Sequence, residues 1–332
     1  MQRGGNCGHP PAEDRILETE NVKTEEFAPA ELPVRRKKHV SPMRRGQTVF
    51  LTVMLAVPIV QWFIFWLYVN INTILLGFQT NVGTWTLHNF EMLFYELTAD
   101  DGVLGMALGN TLKYFFTNVF VIMVLAVIIS YFMFRRIAGA GAFRIIFYLP
   151  ALISSVAMTA VFEAFVSPTG PVGWILERIM ENPPELLADS RTATPTILFY
   201  CVWTGFGTNI LLFTGAMNRI PISLLESAKL DGAGMGREVV SIILPLIWPT
   251  ISTLLILNCT SVFSASGPIL LLEGGRDEFT KTTTIGYWIF NMVYEYSSYN
   301  MVSATGLFFT CIGVPFILLV RWLVELIPAA EY

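Results

Sequence analysis

The amino-acid sequence predicts an all-α integral membrane protein with six transmembrane helices, and three observations predict it. Hydrophobic residues make up 54% of the 332-residue chain and charged residues only 14%, where an ordinary soluble domain carries about a quarter charged residues. The apolar residues are gathered into six blocks, each close to the roughly 20 residues that a helix needs to cross a bilayer core. Lys and Arg are shared unequally between alternate connections, the asymmetry that orients membrane proteins.

Taken in order, the first 34 residues hold seven acids and few large apolar side chains, and "VRRKKHVSPMRR" (34–45) then brings six Lys or Arg. Residues 1–47 read as a cytoplasmic, mostly disordered tail with a basic membrane-proximal end, and 48–332 as the transmembrane domain. Because the first apolar run follows this polar tail, no signal peptide is read from it. The six blocks are Thr48–Val69, Thr111–Phe134, Ile145–Val166, Pro195–Met217, Val239–Phe263 and Ser303–Leu326. In lipid a single segment satisfies its own backbone N–H and C=O groups only as a helix, so each block is read as one. Pro58, Pro150, Pro245, Pro249 and Pro315 fall within or at the ends of these runs and predict kinks. Short helices outside the membrane are expected at about 171–181 and 282–294.

Of the 21 Lys and Arg, 15 lie in the tail and in the connections after the second and fourth blocks, and four (Arg178, Arg191, Arg276, Lys281) lie in the opposite connections. Positive charge is retained on the cytoplasmic side. Both termini and the 218–238 loop are therefore expected in the cytosol. Trp85, Trp174 and Trp288 fall on the other side, where aromatic residues mark the interfacial belt.

The blocks hold almost no ionisable side chain, which argues against an ion- or proton-coupled carrier, since such carriers need coupling charges at membrane depth. His9, His39 and His88 lie outside the blocks, so no His–carboxylate cluster suits an intramembrane metalloenzyme. Cys7, Cys201, Cys259 and Cys311 lack metal-ligand spacing, and the last three read as small core residues. The net charge of −4 gives no reason to expect nucleic acid. Uncharged polar residues collect instead on three blocks, at Ser154 and Ser155, Trp203 to Asn209, and Asn258 to Ser264. Most Ser and Thr in membrane helices bond back to their own helix. As a set beside a Trp, these residues also suit a neutral, hydroxyl-rich ligand.

The loop "SLLESAKLDGAGMGREVVSIILP" (223–245) carries ordered local signals. Ser223 and Glu226 have capping-box spacing, which predicts a helix beginning at Leu224, and Gly232 or Gly234 would end it at positive φ. So short a helix is unstable alone. It is expected either to lie along the membrane surface or to dock a cytosolic partner.

The stretch "LLESAKLDGAGMGREVVSIILPLIWPTI" resembles the EAA loop of binding-protein-dependent ABC importer permeases. Glu226, Ala228, Asp231, Gly232, Ala233 and Ile242–Pro245 stand where that pattern has them, and Ser227 replaces its middle Ala. "TLHNFEMLF" (86–94), "GNTLKY" (109–114), "FYLPALISS" (147–155), "GPILLLEGG" (267–275) and "TTTIGYWIF" (282–290) resemble the carbohydrate-uptake branch, in its larger permease subunit, over about 48–332. "VFSAS" (262–266) stands where the other permease type has a Trp-Asn pair. The resemblance implies the type I importer permease fold and a bacterial plasma-membrane location. It implies that Ser223, Leu224, Leu225, Glu226, Ser227, Ala228, Asp231, Gly232 and Ala233 couple the chain to an ATPase. It also points to Ser155, Trp203, Thr204, Gly205, Thr208, Asn258 and Ser261 as a sugar pathway. Ala151, Cys201 and Thr208 stand where maltose-type permeases have Tyr or Asn, so maltose itself is not implied.

The chain has no GxxxxGK[ST] phosphate loop. ATP and Mg would therefore be bound by a separate ATPase dimer, beside a second permease and an extracytoplasmic binding protein. The alternatives are a permease for another solute, such as an amino acid or a phosphate ester, and a non-transporting membrane scaffold that recruits a cytosolic protein.

Overall fold

A computed structural model describes residues 42–264, 267–272 and 281–327. Most of the 1–47 tail with its basic stretch, and parts of the 262–266 and 267–275 motifs, lie outside the described residues. In chain order the helices are α1 (Gly46–Gly77), α2 (His88–Thr98), α3 (Val103–Phe134), α4 (Ala140–Leu152), α5 (Ser155–Val166) and α6 (Pro171–Ile179). They continue as α7 (Ala193–Met217), α8 (Ile222–Leu230), α9 (Met235–Thr260), α10 (Gly267–Leu272), α11 (Ile285–Tyr294) and α12 (Tyr299–Glu325). No strand occurs among the described residues, where the one β-bridge joins Gln79 and Trp85.

Among the described residues five helices, α1, α3, α7, α9 and α12, are long and apolar enough to cross a membrane, and counting the bent pair begun by α4 and α5 as one span makes six. This bears out an all-α membrane protein and corrects the third expected span. The chain over Ile145–Val166 is not one helix, because Ala140–Leu152 and the stretch Ser155–Ile179 that follows it stand at 105°. The break falls at Ile153 and Ser154, both extended in ψ. Pro150 removes one helical hydrogen bond, and the β-branched Ile153 and two serines that follow hold a helix weakly. The helices expected outside the membrane are present as α6 and α11.

The chain divides into two compact units, Met1–Val60 and Gln61–Tyr332. The described part of the first is the apolar start of α1. Three buried clusters hold the second together. Met123, Tyr131, Phe213, Met217, Leu225, Ile243 and Ile247 join α3, α7, α8 and α9. Phe162, Ile197, Tyr200, Ile269 and Tyr287 join α5, α7, α10 and α11, and Leu93, Leu104, Ile285, Trp288 and Phe309 join α2, α3, α11 and α12. Two glycines permit the close approach of α7 to its neighbours. A Cβ at Gly207 would stand 2.5 Å from Ala151 Cβ, and one at Gly205 2.9 Å from Ile122 Cδ1. Polar ties also fix the bundle: Ser130 Oγ donates to Ile210 O at 3.2 Å, and Asn110 Nδ2 donates to Lys281 O and Thr283 O.

Three stretches widen into π-helix, Phe63–Tyr68, Thr117–Ile122 and Val239–Ile243. Such turns concentrate at functional positions, and the second and third border the two sites described next.

Candidate functional site

The loop that carries the sequence signature forms α8 and a turn. The helix begins at Ile222, with Pro221 at its N-cap and no side-chain cap. The expected capping box of Ser223 and Glu226 is therefore absent, which corrects the start at Leu224. Pro221 has no N–H to satisfy and its φ of −60° already leads into the helix, so the chain turns helical two residues earlier. Ser223 lies inside the first turn, where its carbonyl accepts from Ser227 Oγ at 2.6 Å.

The helix end is as expected. Gly232 has φ +76°, the Gly232 N–H donates to Lys229 O at 3.0 Å, and the Ala233 N–H donates to Ala228 O at 2.9 Å. This is a Schellman end with glycine at the left-handed position. A Cβ at Gly232 would meet nothing within 4 Å in this chain. The need for glycine there lies in its backbone, and the space beside it is open.

Burial sorts the predicted coupling residues. Leu225 is buried and joins the cluster with Tyr131 and Phe213; Ala228 and Ala233 are half-buried; Ser223, Leu224, Glu226, Ser227, Asp231 and Gly232 are exposed. Ile222, Leu230 and Met235 are large apolar residues left in the open, at 70%, 89% and 55% exposure. Just beyond them, Glu238 ends the Met235–Glu238 turn and pairs with Arg135.

The second feature is a cavity of about 160 Å³ between α3, α7, α9 and α10. Thr111, Tyr114, Phe115, Thr117, Asn118 and Ile122 line it from α3, with Cys201, Asn258, Ser261, Ile269 and Thr284 opposite. Asn258 and Ser261 are therefore brought together here. Gly205 lies just behind, against the lining residue Ile122. Ser155, Trp203, Thr204 and Thr208 lie outside the cavity. Trp203 packs on Phe162 and Tyr200, Thr204 Oγ1 donates back to Tyr200 O, and Ser155 and Thr208 are exposed. Asn258 Nδ2 and Ser261 Oγ also donate to their own helix, at Leu254 O and Asn258 O.

Sequence reasoning missed the contribution of α3. A signal was available, since Thr111, Tyr114, Asn118 and Ile122 recur at three- and four-residue spacing and share one helical face. The π turn Thr117–Ile122 shifts that register inside the lining itself. Cys201, expected as a small core residue, lines the cavity, whereas Cys259 is buried and Cys311 exposed.

Comparison with known proteins gives the context. The multiple sugar-binding transport system permease protein MsmF of Streptococcus mutans is 26% identical over 271 residues, covering 80% of this chain and 92% of that protein. The maltose/maltodextrin transport system permease protein MalF of Vibrio cholerae is 23% identical over 66% of this chain, and this chain spans 42% of its length. Among solved structures, a chain of a bacterial ABC transporter involved in the import of the acidic polysaccharide alginate superposes with a TM-score of 0.71. The two share 22% identity over 86% of this chain and 98% of that chain. The described helices thus have the architecture of an ABC importer permease. Residues 122–329, which include the EAA-like loop and all of α7, α9 and α12, match the family described as binding-protein-dependent transport system inner membrane component. The chain belongs to that family.

Proposed function

We propose that this chain is one of two related permease subunits of an ATP-driven importer that moves a sugar or oligosaccharide across the bacterial plasma membrane. The observation that carries the coupling half of this reading is the surface of α8. Leu230 is 89% exposed beside the left-handed Gly232, while Leu225, on the same short helix, is buried in the core. A helix anchored on one side, with Ile222 and Leu230 standing among polar residues on its free side, is suited to a protein partner. ATP and Mg belong to that partner, an ATPase dimer, and both termini of this chain lie with it in the cytosol. The relatives named for sugar transport, from different bacteria and for different sugars, support the substrate class.

The cavity is smaller than the roughly 300–1,000 Å³ of ordinary ligand pockets. Ser155, Trp203 and Thr208 sit outside it and are each exposed, and Leu152, at the break between α4 and α5, is 81% exposed. Irregular backbone at membrane depth must be covered by protein or border water. The second permease supplies that cover, and the full sugar pathway takes in both the cavity and these exposed residues. A binding protein outside the membrane delivers the sugar.

The test is to purify the chain with its co-eluting subunits, reconstitute them and measure ATP hydrolysis with and without sugar-loaded binding protein. We expect an ATPase to co-elute and hydrolysis to rise with the loaded binding protein. A chain that elutes without any ATPase would favour the non-transporting scaffold.

A further inference from the structure

We propose that Arg135, Glu238 and Tyr131 form the positioning element that carries movement of the coupling segment into α3; this rests on the importer reading above. Glu238 is the one charged residue that is buried among the described residues, at 2% exposure. Its Oε2 lies 3.5 Å from Arg135 Nη2. The two residues come from elements remote in sequence. Arg135 caps the end of α3, and Glu238 stands six positions past Gly232 at the start of α9.

Glu238 is buried and Arg135 half-buried; an ion pair drawn out of water is a poor source of stability, because desolvation offsets the attraction, and its best-attested use is to specify a register or a switch. This pair has the features of a switch. Glu238 Oε1 and the Tyr131 hydroxyl are both buried, and neither has a hydrogen-bond partner. The Tyr131 hydroxyl nonetheless lies against both charged groups, close enough for a weak hydrogen-bond interaction with each. A donor and an acceptor thus stand close together without a well-formed bond. A small shift of α9 against α3 would let Tyr131 donate to Oε1, which gives the cluster two discrete arrangements rather than a continuum.

The backbone on both sides is irregular where such a shift must be absorbed. Arg136, next to Arg135, has φ +50°, and the π turn Val239–Ile243 begins directly after Glu238. Both are places where strain or an extra residue in the turn accompanies function. The apolar layer below is shared, since Tyr131 and Leu225 of α8 lie in the same buried cluster. A push on α8 therefore reaches α3 through Leu225 packing and through the charge pair.

The test uses the reconstituted complex with Glu238→Gln, Arg135→Gln, their double variant, Glu238→Asp, and the exchange of Arg135→Glu with Glu238→Arg. Three quantities are read: assembly with the ATPase, basal hydrolysis, and stimulation by loaded binding protein. We expect Glu238→Gln to assemble and keep basal hydrolysis but to lose stimulation by roughly 5- to 150-fold, the range of coupling between two linked sites. Glu238→Asp and the exchange should restore part of it, and the double neutral variant should be no worse than either single one. Full stimulation in Glu238→Gln, or losses that add independently in the double variant, would overturn the proposal. So would failure of every variant to assemble, Glu238→Asp included, since the pair would then be a folding element only. If the unaltered complex shows no stimulation, the importer reading fails instead.

Discussion

Between Ile222 and Met235 the chain builds its proposed docking surface from consecutive residues, whereas the cavity is lined by residues as far apart as Thr111 and Thr284. The first region has one helix, one left-handed turn and one buried anchor, so few positions carry it. The second spreads its polar groups over several helices, and Asn258 and Ser261 already donate to their own backbone. The difference teaches where single substitutions should act sharply and where they should act by degrees. A turn that needs a left-handed residue fails at one position. A distributed polar lining loses one contact at a time.

The largest expected effect is at Gly232. Gly232→Arg should leave the chain in the membrane with its partner permease but abolish ATPase co-purification and uptake. A side chain at φ +76° is strained, by about 1–3 kcal/mol, and it would also fill the open space that the docking partner needs. Gly232→Asn separates the two causes, because Asn tolerates the left-handed region. Co-purification that returns with Asn would assign the defect to the turn, and continued loss would assign it to crowding at the interface.

Next comes Leu225→Ala. It removes the buried anchor of α8 and should lower the unfolding stability of the purified complex by about 2–5 kcal/mol. Thermal melting of the purified complex checks this. An unchanged melt would mean that the ATPase, and not the buried cluster, holds α8 in place.

The cavity substitutions should be graded. Asn118→Ala and Asn258→Ala should each reduce sugar uptake several-fold, in line with one hydrogen bond of about 0.5–1.5 kcal/mol. Trp203→Ala should exceed both if its exposed ring beyond the cavity carries stacking against the sugar, and should fall below both if the cavity alone is the pathway. Initial uptake rates in proteoliposomes distinguish the two. The smallest effect belongs to Ser223→Ala. Ser223 is no N-cap, and an exposed change away from such features shifts stability within about 0.5 kcal/mol. A large coupling loss there would show that its hydroxyl touches the ATPase directly.

The two regions also differ in how far the sequence disclosed them. The helical spans were legible because backbone in lipid has few alternatives. The turn at Gly232 was legible because its signals are local, with glycine standing where the helix must stop. The helix start was misread for a local reason as well, since Ser223 and Glu226 have the spacing of a cap but Pro221 takes that position. The break at Ile153 and Ser154 was hidden inside a continuous apolar run, where hydropathy does not tell one helix from two at 105°. The cavity was legible only in part. Asn258 and Ser261 were named, but the wall from Thr111 to Ile122 depends on how α3 rotates against α7, and close approaches at Gly205 and a π turn set that rotation. Such register is a property of tertiary packing, which no single block of sequence records.

One measurement joins both regions. Cys201 lines the cavity, so a variant that keeps it as the only cysteine, with Cys7, Cys259 and Cys311 replaced by Ser, reports on cavity access. The rate at which a small, water-soluble thiosulfonate modifies Cys201 is followed in the reconstituted complex, with and without a non-hydrolysable ATP analogue. The predicted result is a clear change in rate on nucleotide binding in the otherwise unaltered chain, and none when Gly232→Arg is added. A Cys201 rate that does not respond to nucleotide, or that responds equally with Gly232→Arg, would contradict the claim that the 222–238 segment drives the membrane pathway.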